Sequence, residues 1–295
     1  MRGVEEGASL KEAKTFWIIG GDLRQEKLVG LLRSDGHRVH TYALGESEND
    51  LPQAGQARAE QPDCVILPLP VAGPDGALNA PVSERKHALE DVFARLTPGL
   101  FLCGGMVSPE TAALAARYGL TVHDYFQREE LIVANAVPTA EGAVQIALEE
   151  MGVTLHRSRV LMLGYGRVGK LTAHRLAALG ARVTVAARSC DALAWADAYG
   201  HDTIRLGQLS GNLAEYDLVV NTIPTRILTR DLLTQLKEGC LVIDLASKPG
   251  GVDFQGAAEL GVRCVWALSL PGKVAPFSAA SALRDTIYNM LLEYS

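Results

Sequence analysis

Three glycines at G-x-G-x-x-G spacing are the strongest chemical signal in the sequence. They stand between the apolar run 160–163 and a helix-forming segment. Such a turn brings backbone N–H groups and the positive end of a helix to one point, where they bind phosphates. We therefore predict that the whole turn binds a dinucleotide cofactor, through Gly164, Tyr165, Gly166, Arg167, Val168 and Gly169.

The chain after this turn completes a β-α-β unit of about thirty residues, which makes the glycine signal more specific. The second apolar run, 181–187, ends in Arg188 and Ser189. An NAD site would have an acidic residue there to accept the ribose 2′-OH. A guanidinium with a neighbouring hydroxyl suits a 2′-phosphate instead. The predicted cofactor is therefore NADP rather than NAD, with Arg188 and Ser189 at the phosphate.

Polar residues also follow other apolar runs, where ligands of open α/β sheets bind. In the second half of the chain we predict that the nicotinamide end of the cofactor is lined by Asn221, Thr222, Pro224, Asp244 and Ser247. Cations that could bind substrate carboxylates are Arg24, Arg128, Lys248 and Lys273, while the candidate acid–base groups are Asp22, His123, Asp124, Glu129 and Glu141. The predicted catalytic set is Arg24, Arg128, Glu141, Lys248 and Lys273.

The composition excludes several other classes of function. A net charge of -6 with dispersed cations disfavours nucleic-acid binding. The seven histidines form no ligand pair of metal-site spacing, and no G-x-S-x-G occurs, so neither a metal site nor serine-hydrolase chemistry is expected. Five cysteines without a C-x-x-C indicate reduced thiols and a cytoplasmic protein, and no apolar run approaches the length of a membrane span.

The order of apolar and amphipathic segments predicts an α/β fold with two doubly wound Rossmann-like domains. Each would have a parallel sheet, and crossing helices would join them around an interdomain cleft. The first domain is expected over 1–138, with a returning C-terminal helix at 277–295, and the NADP domain over 139–276. Asp22 is the predicted N-cap of the first helix. Further predictions are a polar extension at 1–14, a loop at 44–62, a strand at 64–70 and helices at 83–95 and 139–151.

These motifs together resemble the family of the A-type subunit of dipicolinate synthase, from endospore-forming bacteria, over nearly the full chain. The residues that carry the resemblance are Gly20-Gly21-Asp22 with Arg24-Gln25, Leu67-Pro68-Leu69-Pro70, Arg128-Glu129-Glu130, Asn135 with 138–143, 164–169, Ala187-Arg188, 221–224, 244–251 and 270–276. The extension 1–14 lies outside it.

The resemblance implies an NADP-dependent oxidation of dihydrodipicolinate to dipicolinate (pyridine-2,6-dicarboxylate), at a branch of the lysine pathway. It also implies a smaller, flavoprotein-like B-type subunit of dipicolinate synthase as partner and a place in the cytoplasm of the mother cell during sporulation. We further expect a homo-oligomer, without nucleic-acid or membrane partners.

Two other functions stay open at this level. A 2-hydroxy-acid or amino-acid dehydrogenase shares the two-domain plan, although it would be expected to have a His paired with an acid late in its second domain. No His follows His201. The other alternative is a non-catalytic protein that binds the cofactor and acts as a scaffold for its partner.

Overall fold

The computed structural model describes residues 10–45 and 61–294, in which strands and helices alternate. Residues 1–9 of the predicted extension and most of the predicted loop at 44–62 lie outside the described residues. The chain divides into two compact units, one formed by Met1–Ala134 with Ala275–Ser295 and the other by Asn135–Val274. Each unit has its own parallel sheet, so the predicted α/β class with two Rossmann-like sheets is confirmed.

The strands are β1 (Thr15–Ile19), β2 (Arg38–Tyr42), β3 (Cys64–Ile66), β4 (Phe101–Gly104), β5 (Val122–Asp124), β6 (Arg159–Leu163), β7 (Arg182–Ala187), β8 (Asp202–Arg205), β9 (Leu218–Asn221), β10 (Leu241–Asp244) and β11 (Arg263–Trp266). The helices are α1 (Leu23–Ser34), α2 (Leu89–Phe93), α3 (Pro109–Arg117), α4 (Glu129–Glu150), α5 (Arg167–Ala178), α6 (Cys190–Ala198), α7 (Arg230–Leu233), α8 (Phe254–Glu259), α9 (Leu270–Val274) and α10 (Pro276–Tyr294).

The first unit is a five-stranded sheet of order β2-β1-β3-β4-β5 that is buried on both faces. Side chains alternate along β1, so Phe16 and Ile18 pack with α1 and α10, whereas Trp17 and Ile19 pack with α2 and α3. Burial on both faces explains why the inner strands β1, β3 and β4 are mostly apolar. Helix α10, from the end of the chain, packs against α1.

The second unit is a six-stranded sheet of order β8-β7-β6-β9-β10-β11. Counted within the unit, this is the 3-2-1-4-5-6 order of a dinucleotide-binding fold, whose ligands lie where the order reverses. The reversal falls between β6 and β9. Val160 and Met162 of β6 pack into one hydrophobic cluster and Leu161 and Leu163 into another, so this sheet too is covered on both faces.

Several element boundaries differ from the predictions. The helix predicted over 83–95 is the short α2, because Ser83 Oγ hydrogen-bonds His87 Nε2 at 2.9 Å and holds the preceding segment in turns. The strand predicted over 64–70 ends at Ile66. The helix predicted over 139–151 begins ten residues earlier, at Glu129, and contains Pro138 in its interior. The edge strand β8 and the helices α8 and α9 were not predicted.

Helix α4 is the single described helix that is long and apolar enough to cross a membrane, by length and composition alone. It is not a continuous apolar run, because polar residues such as Asn135, Thr139 and Glu141 interrupt it. Leu131 nevertheless belongs to the core of the first unit and Ala147 to that of the second. Both contacts are those of a core helix of a globular protein.

Candidate functional site

The turn between β6 and α5 has the backbone geometry that the glycine spacing predicts. Gly164 directly follows β6 and has a φ of 91°, in the region that favours glycine. A Cβ at Gly164 would collide with Thr222 Oγ1, and a Cβ at Gly169 would collide with the carbonyl oxygen of Gly164. The protein itself therefore requires glycine at these two positions, for the turn and for close packing of the helix.

Gly166 differs, because nothing in the protein requires glycine there. Its φ is -78°, and a Cβ would have no atom within 4 Å. Gly166 is the N-cap of α5, and no side chain caps that helix. The first N–H groups of α5 can therefore serve an anion that approaches over Gly166. The residues of this turn fit the pyrophosphate of a dinucleotide.

The side chains of the turn are less available to a ligand than its backbone, because two of them are turned into the protein. Tyr165 is 6% exposed and packs edge-on against His201, with ring centroids 6.1 Å apart. Burial raises the pKa of the Tyr165 phenol. Val168 is half-buried, whereas Arg167 is exposed at the start of α5. Tyr165 therefore anchors the turn to the core, and any contact of this residue with a ligand would come from its main chain.

Asn221 and Asp244 lie behind the turn, at the ends of β9 and β10, and both are 0% exposed. Asn221 Nδ2 donates to Asp244 Oδ1 at 2.7 Å and to the Ile223 carbonyl at 3.0 Å. The Asp244 carboxylate also accepts the N–H groups of Ala246 and Gly251. Both side chains are thus occupied within the protein, and the lining of the nicotinamide end by these two residues stays a prediction. Both residues hold the loops that follow their strands.

Thr222 connects this network to the glycine turn. Its N–H and its hydroxyl both donate to the carbonyl of Leu163, each at 2.9 Å. Pro224 and Ser247 are exposed on the loops that follow β9 and β10. Beside them, a Cβ at Gly251 would collide with the amide of Asn221. Thr222 and the buried network thus position the exposed residues that remain candidates for ligand contact.

The lysines predicted to bind substrate, Lys248 and Lys273, are both exposed. Among the described residues, neither side chain forms a hydrogen bond or an ion pair. Lys248 follows β10, and Lys273 lies in α9. Their charges are uncompensated in this unit, which leaves them suited to bind a carboxylate.

Arg188 directly follows β7 and is exposed, and its guanidinium has no partner among the residues described. Ser189 is the N-cap of α6, and its hydroxyl accepts the N–H of Ala192 at 3.4 Å. The same hydroxyl is the first cause of the lowered pKa of the Asp191 carboxyl, to which it hydrogen-bonds. Arg188 is therefore free to bind a phosphate, whereas the Ser189 side chain is already used locally.

In the first unit, Arg24 and Asp22 form a closed pair at the carboxyl end of β1. Arg24 Nη2 donates to Asp22 Oδ2 at 2.8 Å and to the Leu69 carbonyl at 2.9 Å. Burial by itself raises the pKa of the Asp22 carboxyl, but the hydrogen bonds and charge of Arg24 outweigh it and hold that pKa below its ordinary value. Asp22 caps α1 as predicted. An ionised, capped carboxylate of this kind is a poor general base.

Arg128 does not have the free guanidinium that a substrate clamp requires. Its Nη1 and Nη2 donate to the two carboxylate oxygens of Glu293 at 2.6 and 2.7 Å, and its Nε donates to Glu130 at 2.8 Å. Glu293 lies on α10 and Glu130 on α4. Arg128 joins these two helices, and its predicted contact with substrate stays a prediction.

Most of the predicted acid–base groups also have structural partners. The Asp124 carboxylate accepts three backbone N–H groups, from Met106, Val107 and Phe126. The His123 ring stacks on Phe101, with centroids 5.0 Å apart. Glu141 lies on α4 and pairs with Arg175 at 3.4 Å. None of these contacts assigns a catalytic base.

Arg205, at the end of β8, is a further candidate for binding the cofactor, and the sequence alone does not point to it. It lies opposite Ala187 in the pairing of β8 with β7, and hence beside Arg188. Strand β8 is polar and largely exposed, so it carries no hydrophobic signal by which it could have been found.

Two family models match this chain. Residues 15–126 match the model of the N-terminal domain of the A-type subunit of dipicolinate synthase. Residues 132–248 match that of the D-isomer specific 2-hydroxyacid dehydrogenase, NAD binding domain. The second match covers the glycine turn, so a nicotinamide dinucleotide is the class of cofactor that this unit takes.

Full-length relatives agree with the first of these models. The chain is 31% identical over 284 residues to the A-type subunit of dipicolinate synthase from Bacillus subtilis (strain 168), covering 94% of this chain and 95% of that protein. Two crystal structures of the A-type subunit are similar to this chain, each at 29% identity. The Bacillus subtilis structure superposes over 97% of this chain with a TM-score of 0.84, and the Bacillus halodurans structure over 94% with a TM-score of 0.83. They cover 98% and 97% of those chains. A transhydrogenase from Sinorhizobium meliloti shares the fold alone. It is 18% identical and superposes with a TM-score of 0.69, over 95% of this chain and 94% of the transhydrogenase chain.

Proposed function

Because this chain belongs to the family of the A-type subunit of dipicolinate synthase, we propose that it oxidises dihydrodipicolinate to dipicolinate with NADP. Its place among dehydrogenase-type proteins follows from the full-length relatives and from the nucleotide-binding model over residues 132–248. NADP, when bound, supplies the acceptor for the hydride.

The observation that carries the proposal is the glycine turn at the point where the strand order reverses. Gly164 and Gly169 shape it, Thr222 supports it from β9, and the uncapped start of α5 faces the space over Gly166. This is where a doubly wound sheet binds a dinucleotide. The chain's own contribution is then to hold the pyrophosphate by backbone N–H groups.

The choice of NADP over NAD is supported by the residues that follow β7. Arg188 carries a positive charge there that is unpaired among the described residues, and no acid stands in the position that would accept a ribose 2′-OH. A guanidinium binds a phosphate by charge-assisted hydrogen bonds, whereas it gains much less from a hydroxyl.

A dicarboxylate substrate needs cations, and Lys248 and Lys273 are the strongest candidates because their charges are uncompensated among the residues described. Arg24 is a weaker candidate, since its guanidinium is already shared between Asp22 and the Leu69 carbonyl. These cations would orient the substrate and restrict its motion, which lowers the entropic part of the barrier.

The relatives are named as one subunit of an enzyme, which supports a second protein as partner. We take this partner to be the flavoprotein-like B-type subunit of dipicolinate synthase. We place the protein in the cytoplasm of the mother cell during sporulation, in agreement with its five free cysteines. Self-association into a homo-oligomer belongs to the same proposal.

The test combines the purified chain with NADP and freshly generated dihydrodipicolinate, with and without the B-type partner, and follows the absorbance of NADPH and of dipicolinate. We expect both products to form in equal amounts. Oxidation with NAD alone would overturn the choice of NADP. Turnover of 2-hydroxy or amino acids, without turnover of dihydrodipicolinate, would establish the dehydrogenase alternative.

A second candidate is a non-catalytic protein that binds the cofactor and supports its partner. It is favoured by one observation, namely that Asp22, Asp124 and Arg128 are all engaged in hydrogen bonds or ion pairs with other residues of the first unit. This candidate predicts NADP binding by the chain without any oxidation, whether or not the partner is present. The same assay therefore separates the two functions.

A further inference from the structure

Strand β8 brings a second arginine beside the last residue of β7. The Cα atoms of Arg205 and Ala187 are partners in the parallel pairing of the two strands, and Arg188 is the next residue along β7. Neighbouring strands of a sheet are about 4.8 Å apart. Arg205 therefore lies at the carboxyl edge of the sheet beside Ala187, one residue along the chain from Arg188.

The guanidinium of Arg205 is directed toward the start of α6. Its Nη2 donates to Cys190 Sγ at 3.6 Å, and Cys190 is the first residue of that helix. Arg205 thus contacts the residue that stands two positions after Arg188. A thiol is a weak hydrogen-bond acceptor, so this contact leaves the charge of Arg205 available to a stronger one.

Among the described residues, neither Arg188 nor Arg205 is paired with a carboxylate. Several other exposed arginines of this unit are paired in this way, for example Arg159 with Glu215 and Arg230 with Glu259. The nearest acid along α6 is Asp191, which hydrogen-bonds Ser189. The charge that helps to lower its pKa is that of Lys170 and not that of either arginine. The carboxyl ends of β7 and β8 therefore carry two arginines whose charges no carboxylate of the described residues compensates.

We infer that Arg205 and Arg188 together bind the 2′-phosphate of NADP, and that the phosphate replaces the Cys190 thiol as the acceptor of Arg205. This inference rests on the proposed function, because it assigns a second cation to the cofactor site. Arg205 then determines specificity through contact with the phosphate. Two guanidinium groups can also satisfy more of the phosphate oxygens than one.

The experiment measures the binding of adenosine 2′,5′-bisphosphate and of 5′-AMP by calorimetry, because the two ligands differ only in the 2′-phosphate. We expect Arg205→Gln to weaken the binding of the bisphosphate roughly ten-fold or more and to leave that of 5′-AMP within two-fold. The matched control is Arg182→Gln, because Arg182 is exposed and unpaired among the described residues but stands at the opposite end of β7. This control should bind both ligands as the wild type does.

Three other results would overturn the inference, and they can be told apart. If Arg205→Gln binds the bisphosphate normally while Arg188→Gln does not, Arg188 acts alone and the proposed function stands. If Arg205→Gln weakens both ligands equally, its effect is on the fold around the ends of β7 and β8 rather than on the phosphate. If the wild type binds neither ligand, the proposed function fails with the inference.

A second readout uses the Cys190 thiol, to which Arg205 donates a hydrogen bond. Cys190 is exposed and Cys264 is partly buried, so the two can be alkylated and followed separately by mass spectrometry. We expect the bisphosphate to slow alkylation of Cys190 several-fold and 5′-AMP to slow it less, with Cys264 unaffected as the internal control. Equal rates at Cys190 with and without saturating bisphosphate would show that the phosphate does not lie at Arg205.

Discussion

Arg128 and Glu293 form a two-pronged ion pair that joins the start of α4 to the end of α10, with N–O distances of 2.6 and 2.7 Å. The two residues are 165 positions apart in the sequence. Together with Glu130, this pair uses the Nε and both terminal nitrogens of the guanidinium. The hydrogen bonds to these carboxylates raise the pKa of Arg128 above its ordinary value, as expected for a guanidinium whose charge is compensated.

We therefore expect Arg128→Ala to lower the midpoint of thermal unfolding by a few degrees at low ionic strength and less at high salt. Cofactor affinity should not change. Arg117→Ala is the control, since Arg117 pairs with Glu90 within the first unit at a more exposed site. A loss of turnover at unchanged thermal stability would return Arg128 to the substrate site.

Gly166→Ala should weaken NADP binding roughly ten-fold or more without loss of stability. The methyl group meets nothing in the protein but would obstruct approach to the N–H groups of α5, each worth about 1.5–3 kcal/mol to a charged ligand. Gly164→Ala is the contrasting variant, because its φ of 91° and the collision with Thr222 should destabilise the fold itself. NADP titration and thermal unfolding of both variants are the measurements. Normal NADP affinity in Gly166→Ala would exclude a pyrophosphate that lies over Gly166.

Arg188→Asp should weaken NADP binding roughly a hundred-fold and NAD binding much less, because repulsion replaces a charge-assisted contact with phosphate. Titration of both cofactors against one preparation measures the ratio. Arg182→Asp makes the same change of charge at the other end of β7 and controls for the net charge of the unit. Equal losses for NADP and NAD would mean that Arg188 does not lie at the 2′-phosphate.

Lys248→Ala and Lys273→Ala should each lower the catalytic efficiency with dihydrodipicolinate roughly ten-fold, while NADP affinity stays constant. A ten-fold drop corresponds to the loss of one charge-assisted contact with the substrate at an exposed site. Arg24→Ala should lower activity and stability together, because it also leaves Asp22 and the Leu69 carbonyl without a partner. Wild-type kinetics in both lysine variants would identify them as ordinary surface charges.

His37 should make the protein less stable in acid. Burial lowers the pKa of His37 against the opposing charges of Asp35 and Asp63, and its Nδ1 accepts the N–H of Lys14 at 3.1 Å. The unfolded chain therefore takes up a proton more readily, so this residue's contribution to stability is complete above about pH 6.5 and is lost as the pH falls below it. His37→Asn keeps a hydrogen-bond acceptor for the Lys14 N–H and should flatten the dependence of the unfolding free energy on pH. Parallel plots of unfolding free energy against pH for the variant and the wild type would contradict this.

The sequence by itself determined the features that depend on local chemistry. The apolar runs predicted both parallel sheets because buried strands must be continuously hydrophobic, and the glycine spacing located the dinucleotide turn because only glycine allows the φ at Gly164 and the close approach at Gly169. The Asp22 cap was predictable for the same reason, since a helix start needs an acceptor within a few residues.

The tertiary structure alone decided which charges are free. Arg128 and Lys248 look alike in the sequence, yet Arg128 meets Glu293 from the far end of the chain, whereas Lys248 has no partner among the described residues. Asn221 and Asp244 are buried against each other because two strands distant in sequence lie side by side. Arg205 lies beside Ala187 for a similar reason, since the polar strand β8 is not visible in the hydrophobic pattern and only its pairing with β7 brings the residue there. Pairing of charges and strands over long separations is set by packing of the whole unit, and a local pattern of residue types cannot encode it.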